Sequence, residues 1–291
     1  MAKGVLEIMD KADLQAVFVA AGLSRLVKDI DRLARPSIRI TAAEVDESLL
    51  YVGASKLGGV PDLPTGAAWP EWKGLPQSFI AQIRLDDVGQ YDTEKVLPQS
   101  GMLWFFYDAQ QQTFGEDPAD RGGWQVLYTD GDLNALQRAS VPAALPATSQ
   151  YHACLLSFAS ELTLSQQPKL EIPNLDWSDD DQKKYESVLS SFSSQVDRAT
   201  PHHRMLGNPD TIQDDMRLEC QLASNGVTDI DDPRAAALSK GAMDWQLLLQ
   251  VDTDDTIGMR WGNAGMLYYW ISLADLPTRQ FNASWLVLQS E

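Results

Sequence analysis

The sequence predicts an α+β fold: internally duplicated strand–turn–strand units in a pseudo-twofold sheet core, helices packed over it, and an N-terminal helical pair. Three observations carry this. Short runs of β-branched and aromatic residues, among them Phe79–Leu85, Met102–Tyr107 and Trp245–Val251, read as strands. Helical spacing of apolar residues appears near the N-terminus and again after residue 178. One strand motif occurs twice in the same order. The 291 residues, 44% hydrophobic and 22% charged, suffice for a substantial core.

Taken in order, Asp10 caps a first helix with Leu14, Val17, Phe18 and Ala21 at helical spacing, and Gly22 suits its C′ position. Ser24 caps a second helix carrying Leu26, Ile30 and Leu33 on one face, and Pro36 stops it. Ser37–Thr41 alternate as a strand. Residues 53–76 interleave glycines and prolines with Leu57, Leu63, Trp69 and Trp72, which fits an ordered loop pinned by apolar side chains. Trp124–Thr129 and Cys154–Leu164 are further strands, joined through a loop over 140–150. Ser178 caps a helix whose first turn, Asp179–Asp181, complements the macrodipole, and which runs toward Val196. Another helix is expected from Pro209 to Asn225, ended by Gly226. Met266–Ile271 and Trp285–Gln289 complete the strands. Residues 1–36 form a helical segment packed on a single domain over 37–291, which holds the repeat at about 76–130 and 244–289.

The repeat aligns Phe79-Ile80-Ala81-Gln82-Ile83 and Asp86-Asp87 with Leu247-Leu248-Leu249-Gln250-Val251 and Asp254-Asp255. Gly101-Met102-Leu103-Trp104 aligns with Gly265-Met266-Leu267-Tyr268. The offset is 168 in the first strand and 164 in the second, so a four-residue loop difference separates the copies. Both return strands are apolar on both faces, as strands covered on both sides are.

The formal charge of −18 excludes ready binding to a phosphate backbone and disfavours an anionic membrane. Cys154 and Cys220 are too few for a disulfide scaffold or a four-cysteine zinc site, and read as two buried thiols. No run approaches the roughly 18 apolar residues of a membrane span, and no signal-peptide core follows the N-terminus. The expected location is cytoplasmic.

Several motifs together resemble the YwqG-like family, a bacterial domain of unknown function. They are Ser55-Lys56-Leu57-Gly58-Gly59 with Pro61, Trp69-Pro70, the Phe79–Ile83 and Gly101–Tyr107 strands, His203, Leu206-Gly207, Pro209 and Ile212-Gln213, Leu247–Gln250, and Trp261-Gly262. Asn208 and Asn263 depart from the pattern, which often has an aromatic and an Asp there. The resemblance implies an α+β fold with an internal duplication and no accepted activity. It also implies an association of some members with secreted toxins, as immunity or accessory proteins.

No nucleophile motif, P-loop or zinc-protease signature occurs, so no catalytic residue and no cofactor is assigned. Candidate binding residues are Lys56 before the glycine pair, Gln82 and Gln250 inside the matched strands, His203, Gln213, and Trp261, the tryptophan expected to be most exposed. The expected function is a non-enzymatic binding protein whose acidic surface docks a basic protein partner, such as a toxin. The alternative is a small-ligand or calcium-type site, enzymatic or not, built where the acidic turns Asp86-Asp87 and Asp252, Asp254 and Asp255 meet across the pseudo-twofold.

Overall fold

The computed structural model describes residues 10–192 and 200–291. It is α+β, dominated by one antiparallel sheet. The first strands are β1 (Ala34–Glu44), β2 (Lys56–Leu57), β3 (Asp62–Pro64), β4 (Glu71–Trp72), β5 (Leu75–Pro76), β6 (Ser78–Arg84) and β7 (Met102–Tyr107). The rest are β8 (Trp124–Thr129), β9 (Leu136–Arg138), β10 (Cys154–Leu164), β11 (His203–Met205), β12 (Trp245–Asp252), β13 (Met266–Ser272) and β14 (Trp285–Gln289). Ten of them form the main sheet in the order β14-β13-β12-β11-β1-β10-β2-β6-β7-β8.

The order reads the same from either end. A hairpin and a third strand (β6-β7-β8 and β12-β13-β14) are joined through a short strand (β2 and β11) to one long central strand (β10 and β1). The two long strands pair over their whole length, Ala34 opposite Leu164 and Glu44 opposite Cys154. The sheet curls until its two ends meet. Phe105 and Tyr269 stack edge-on at 5.1 Å, and the Tyr269 hydroxyl donates to the Phe106 carbonyl at 3.2 Å. At the rim, Trp124 and Trp285 stack at 4.9 Å, and the Leu288 amide donates to the Phe114 carbonyl. The sheet is therefore nearly barrel-like, with the continuous apolar strands filling its interior.

The acidic turn after β6 is a single helical turn, Leu85–Val88, that buries Leu85 and Val88 and leaves Asp86 at the surface. The N-terminus differs from expectation. Asp10 does cap a helix, Lys11–Ala20, through a reciprocal capping box with Asp13. The second helix is absent as such: Ser24–Asp29 is a 3₁₀ stretch whose cap position is Leu23, followed by one turn, Ile30–Leu33. Its apolar residues are nonetheless buried, in a second core with Leu14, Phe18 and Tyr185. Packing needs satisfy those side chains without regular helical hydrogen bonding. Pro36 does not stop a helix but sits inside β1.

Ser178 caps Asp179–Leu189 as its sequence demands, but this helix ends at the Ser190 cap, short of the expected run toward Val196, whose end lies outside the described residues. The helix expected from Pro209 is shorter, Arg217–Ser224. Residues 208 and 210–213 give their backbone amides instead to distant side chains, those of Thr163, Gln250, Gln166 and Gln289. This helix lies over β12 and β14 and buries Cys220. Both cysteines are free and buried, and burial pushes the Cys154 thiol up to about 11. Among the described residues no helix is long and apolar enough to cross a membrane.

Glu219 on the same helix is a pH-sensitive element. Burial, with the Glu116 carboxylate adding, pushes its carboxyl up to about 7. A carboxyl whose pKa is raised on folding contributes stability at low pH, and loses it as pH climbs through the folded value. Glu219→Gln should therefore raise the melting midpoint at pH 8 and leave it little changed at pH 5. Thermal melts at both pH values check this, and equal shifts would refute it.

Candidate functional site

Two buried polar modules hold the sheet together, one in each half, and they match bond for bond. In the first, Gln82 Oε1 accepts the Asp62 amide at 2.8 Å, while Nε2 donates to the Ala54 carbonyl at 2.7 Å and to Asp62 Oδ2 at 2.8 Å. In the second, Gln250 Oε1 accepts the Asp210 amide at 2.9 Å, while Nε2 donates to the His202 carbonyl at 2.7 Å and to Asp210 Oδ2 at 3.0 Å. An aromatic donor from the next strand closes each module. Trp104 Nε1 donates to the Asp62 carbonyl at 2.8 Å, and the Tyr268 hydroxyl to the Asp210 carbonyl at 2.6 Å. A fully buried cation completes each: Lys56 lies 2.8 Å from Glu47 and 3.5 Å from Asp62, and Arg204 binds Glu161 at 2.8 Å and pairs with Asp210.

The local sequence explains why. Lys56-Leu57-Gly58-Gly59-Val60-Pro61-Asp62 and Arg204-Met205-Leu206-Gly207-Asn208-Pro209-Asp210 share a cation, a glycine and a Pro-Asp, 148 residues apart. Each cation ends or occupies a short strand, then the chain reverses through two left-handed residues. Gly58 and Gly59 have φ of 63° and 70°, and Leu206 and Gly207 have 61° and 75°. The reversal brings the Asp beneath the cation, where the strand glutamine holds it. A glutamine in the middle of an apolar strand is costly unless all its polar atoms are bonded, and here they are.

Electrostatics follows from the pairing. Burial alone would raise the Asp62 carboxyl, but Arg138, the Gly53 amide, Lys56 and Gln82 together hold it below the usual carboxylate range. Asp210 is likewise held low against burial, chiefly by Arg204, and the Arg204 guanidinium is raised in return. Arg138, in β9, has an extra role in the first half: Nε binds Asp62 Oδ1 at 2.9 Å and the other nitrogens donate to the Glu47 and Leu50 carbonyls. These paired carboxylates and cations fasten loops to a sheet, although Asp210 Oδ1, unlike Asp62 Oδ1, has no hydrogen-bond partner among the described residues.

The sequence-derived candidates fall as follows. Lys56, Gln82 and Gln250 come together with their counterparts in these modules, all fully buried, so none is presented to solvent. His203 is also buried, its Nδ1 accepting the Asp252 amide at 3.1 Å and its Nε2 lying 3.3 Å from Asp254. Its counterpart Ser55 makes the parallel bonds, accepting the Arg84 amide and donating to Asp87 at 2.7 Å. Gln213 is exposed, and its side chain donates to the Ser290 carbonyl. Trp261 corrects the expectation of an exposed loop tryptophan. It is fully buried, its indole donating to the Asp252 carbonyl and its ring flanked edge-on by Tyr107 and Tyr151.

The carboxylates proposed for a cation do not converge. Every step across the sheet from β6 to β12 is antiparallel, and there are five of them, so the two strands run in opposite directions. Asp86-Asp87 and Asp254-Asp255 therefore leave the sheet at opposite ends. Asp252 accepts the His202 amide, Asp254 accepts the Thr256 amide, and Asp255 pairs with Arg260. Among the described residues no group of three or more His, Cys, Asp or Glu is placed to hold a metal ion.

Asp62, Arg204 and Asp210 are the module residues that the strand motif alone does not single out. Their signal is the 148-residue match between the two cation-to-Asp segments, which differs from the 168 of the strand motif because the loops between them differ in length.

A family model described as a domain of unknown function, DUF1963, matches residues 55–290. That span begins one residue before Lys56 and takes in the glutamine, aspartate and cation of both modules. No curated protein matches the chain.

Proposed function

We propose that this chain, which belongs to the DUF1963 family, is a non-enzymatic binding protein, built by duplication of one unit and docking a basic protein partner on an acidic, apolar-centred face. The motifs quoted above support placing it with the YwqG-like members, and the matched modules and palindromic strand order support the duplication.

One observation carries the docking reading. The loop after β1 presents three large apolar side chains to solvent, Leu49, Tyr51 and Val52, at 77%, 61% and 44% exposure. This is not a floppy tip. Asp46 accepts the Ser48 amide and starts a 3₁₀ turn, Leu50 is buried beneath, and the Gly53 amide is held by Asp62. Exposed apolar groups on an ordered loop mark contact surfaces. Asp46 caps the turn itself, and Asp87 lies near Tyr51, where it accepts the Ser55 hydroxyl. Of the nearby cations, Lys56 is buried and Arg138 spans Asp62 and two carbonyls, while Arg84, beside Gly53 and Tyr51, is partly exposed and pairs with Asp86 at 3.8 Å. The face thus offers negative charge around an apolar centre, and a partner with a basic rim and an apolar anchor complements it. A cytoplasmic, immunity-type inhibitor of a cationic toxin has that requirement, and a net charge of −18 would steer the encounter.

The test is calorimetry against the products of adjacent genes over a salt series. Binding should weaken as salt rises and should drop about tenfold or more in Leu49→Ala/Tyr51→Ala, two exposed positions whose truncation spares the fold. Binding that ignores both salt and these substitutions, or no binding by any neighbour product, would defeat the proposal.

A further inference from the structure

We propose that the cleft beside the Gly58-Gly59 turn receives an arginine side chain of the basic protein partner. The proposal rests on the docking reading above and names what fills the pocket next to the exposed loop.

Val45 and Glu47, which follow β1, line this cleft. Glu47 opens the 3₁₀ turn Glu47–Leu49, so the cleft adjoins the most exposed of the three apolar docking side chains. Trp69, Phe79 and Tyr151 supply aromatic lining, and exposed Val141 belongs to the rim. The cavity volume is about 170 Å³. An apolar cavity of roughly 150 Å³ admits a benzene ring, so one planar side-chain head fits.

Among the described residues Glu47 is the one charged side chain in the lining. Its Oε1 accepts Lys56 Nζ and the Val60 amide, both at 2.8 Å, which leaves Oε2 without a partner among the described residues. Lys56 does not serve Glu47 alone, since it also faces Asp62 at 3.5 Å. Arg138, the other cation close by, binds Asp62 and donates to the Glu47 carbonyl. Glu44 and Asp46 place two more carboxylates in the same stretch of chain. Gly59 makes room for the Glu47 carboxylate: it has φ +70°, and a Cβ there would collide with Oε1.

The neutral polar groups point the same way. Gln150 Nε2 donates to the Leu145 carbonyl at 3.0 Å, so its Oε1 is the unspent atom. The Trp69 indole donates to the Gln77 carbonyl, and the Ser149 hydroxyl to the Ala109 carbonyl. Tyr151 sets its ring against Trp261 at 5.7 Å, with its hydroxyl beside Ser78 and Gln111. Two acceptors are thus held in reserve, one of them charged, next to aromatic rings. A guanidinium complements that set. It stacks on aromatic faces and bonds oxygens in its own plane, whereas a lysine ammonium is compact and strongly hydrated.

The probes are N-acetylarginine amide and its neutral isostere N-acetylcitrulline amide, titrated into the full chain. The Trp69 indole N–H resonance in nitrogen-15 spectra follows binding, and Trp69→Phe identifies it. The arginine compound should shift that signal saturably with a dissociation constant of about 1 mM, and the citrulline compound should bind about tenfold more weakly or worse. This comparison uses the parent chain alone. Glu47→Gln keeps an acceptor for the Val60 amide and should weaken the arginine compound about tenfold, with its melting midpoint recorded beside that of the parent. An unmoved Trp69 resonance, equal binding of the two compounds, or a folded Glu47→Gln chain that binds like the parent would each overturn the proposal. Salt-sensitive binding of a neighbouring gene product that Glu47→Gln leaves unchanged would keep the docking face and remove this pocket. Binding of the arginine compound where no neighbour product binds would keep the pocket and remove the docking reading.

Discussion

Arg204→Met is expected to destabilise the fold by about 3–5 kcal/mol, because it strands the buried Asp210 carboxylate without its main counter-charge. That is a large share of the roughly 5–15 kcal/mol that holds a domain folded. The matched change in the first half should cost less. After Lys56→Met, Asp62 still accepts from Arg138 at 2.9 Å and from the Gly53 amide at 2.9 Å, so about 1–2 kcal/mol is expected. Replacing both members, Arg204→Met with Asp210→Leu, removes the stranded charge and should recover part of the loss, though the lost bonds from Gln250 Nε2 and His202 Nδ1 to the Asp210 carboxylate limit the gain. Urea unfolding of the four proteins measures the series. Equal losses for Arg204→Met and Lys56→Met would show that the pairs are not the source. The sign with pH is also fixed: Asp210 is held low in the fold, so its contribution is complete above the ordinary carboxylate range and disappears as pH falls through the folded value.

Gly58→Ala should be nearly as damaging, at about 2–4 kcal/mol. The residue has φ +63°, and a Cβ there would lie 2.1 Å from the His152 carbonyl oxygen, a backbone atom held by β10 and its approaches. Gly66→Ala separates the two causes. It has φ +82° with nothing within 4 Å, so it carries only the left-handed cost of about 1 kcal/mol. Denaturant midpoints of the pair decide it: equal effects would mean that the close approach to His152 contributes nothing. Leu206, in the same conformation at φ +61°, shows that the turn accepts a side chain where no carbonyl crowds it.

The strands were legible because their patterns are local. Phe79–Ile83, Met102–Tyr107 and Trp245–Val251 are apolar runs bounded by turn residues, and each lies in a strand. What escaped depends on distant partners. Pro209 at an apparent helix start reads as N1, yet Asn208 and Asp210 give their amides to Thr163 and Gln250, which lie elsewhere in the chain. Ser24 reads as a cap, but the apolar residues after it reach the second core through 3₁₀ geometry. Arg260 and Gly262 flank Trp261 and suggest exposure, whereas Tyr107 of β7 and Tyr151 from the loop before β10 enclose it. Gln82 and Gln250 were visible as anomalies in apolar strands. Their aspartates were not, because a Pro-Asp in a loop carries no sign of burial until the strand that receives it is known.

The central position of β1 bears on how the chain is made. Its two neighbours, Cys154–Leu164 and His203–Met205, lie more than a hundred residues downstream. During synthesis β1 emerges with neither edge covered, while β6, β7 and β8, neighbours in sequence, can already associate. Closing the middle of the sheet must then wait for long-range contacts, which form slowly and leave both edges of β1 open to other nascent chains. The ribosome-bound intermediate is where this protein would most need a chaperone.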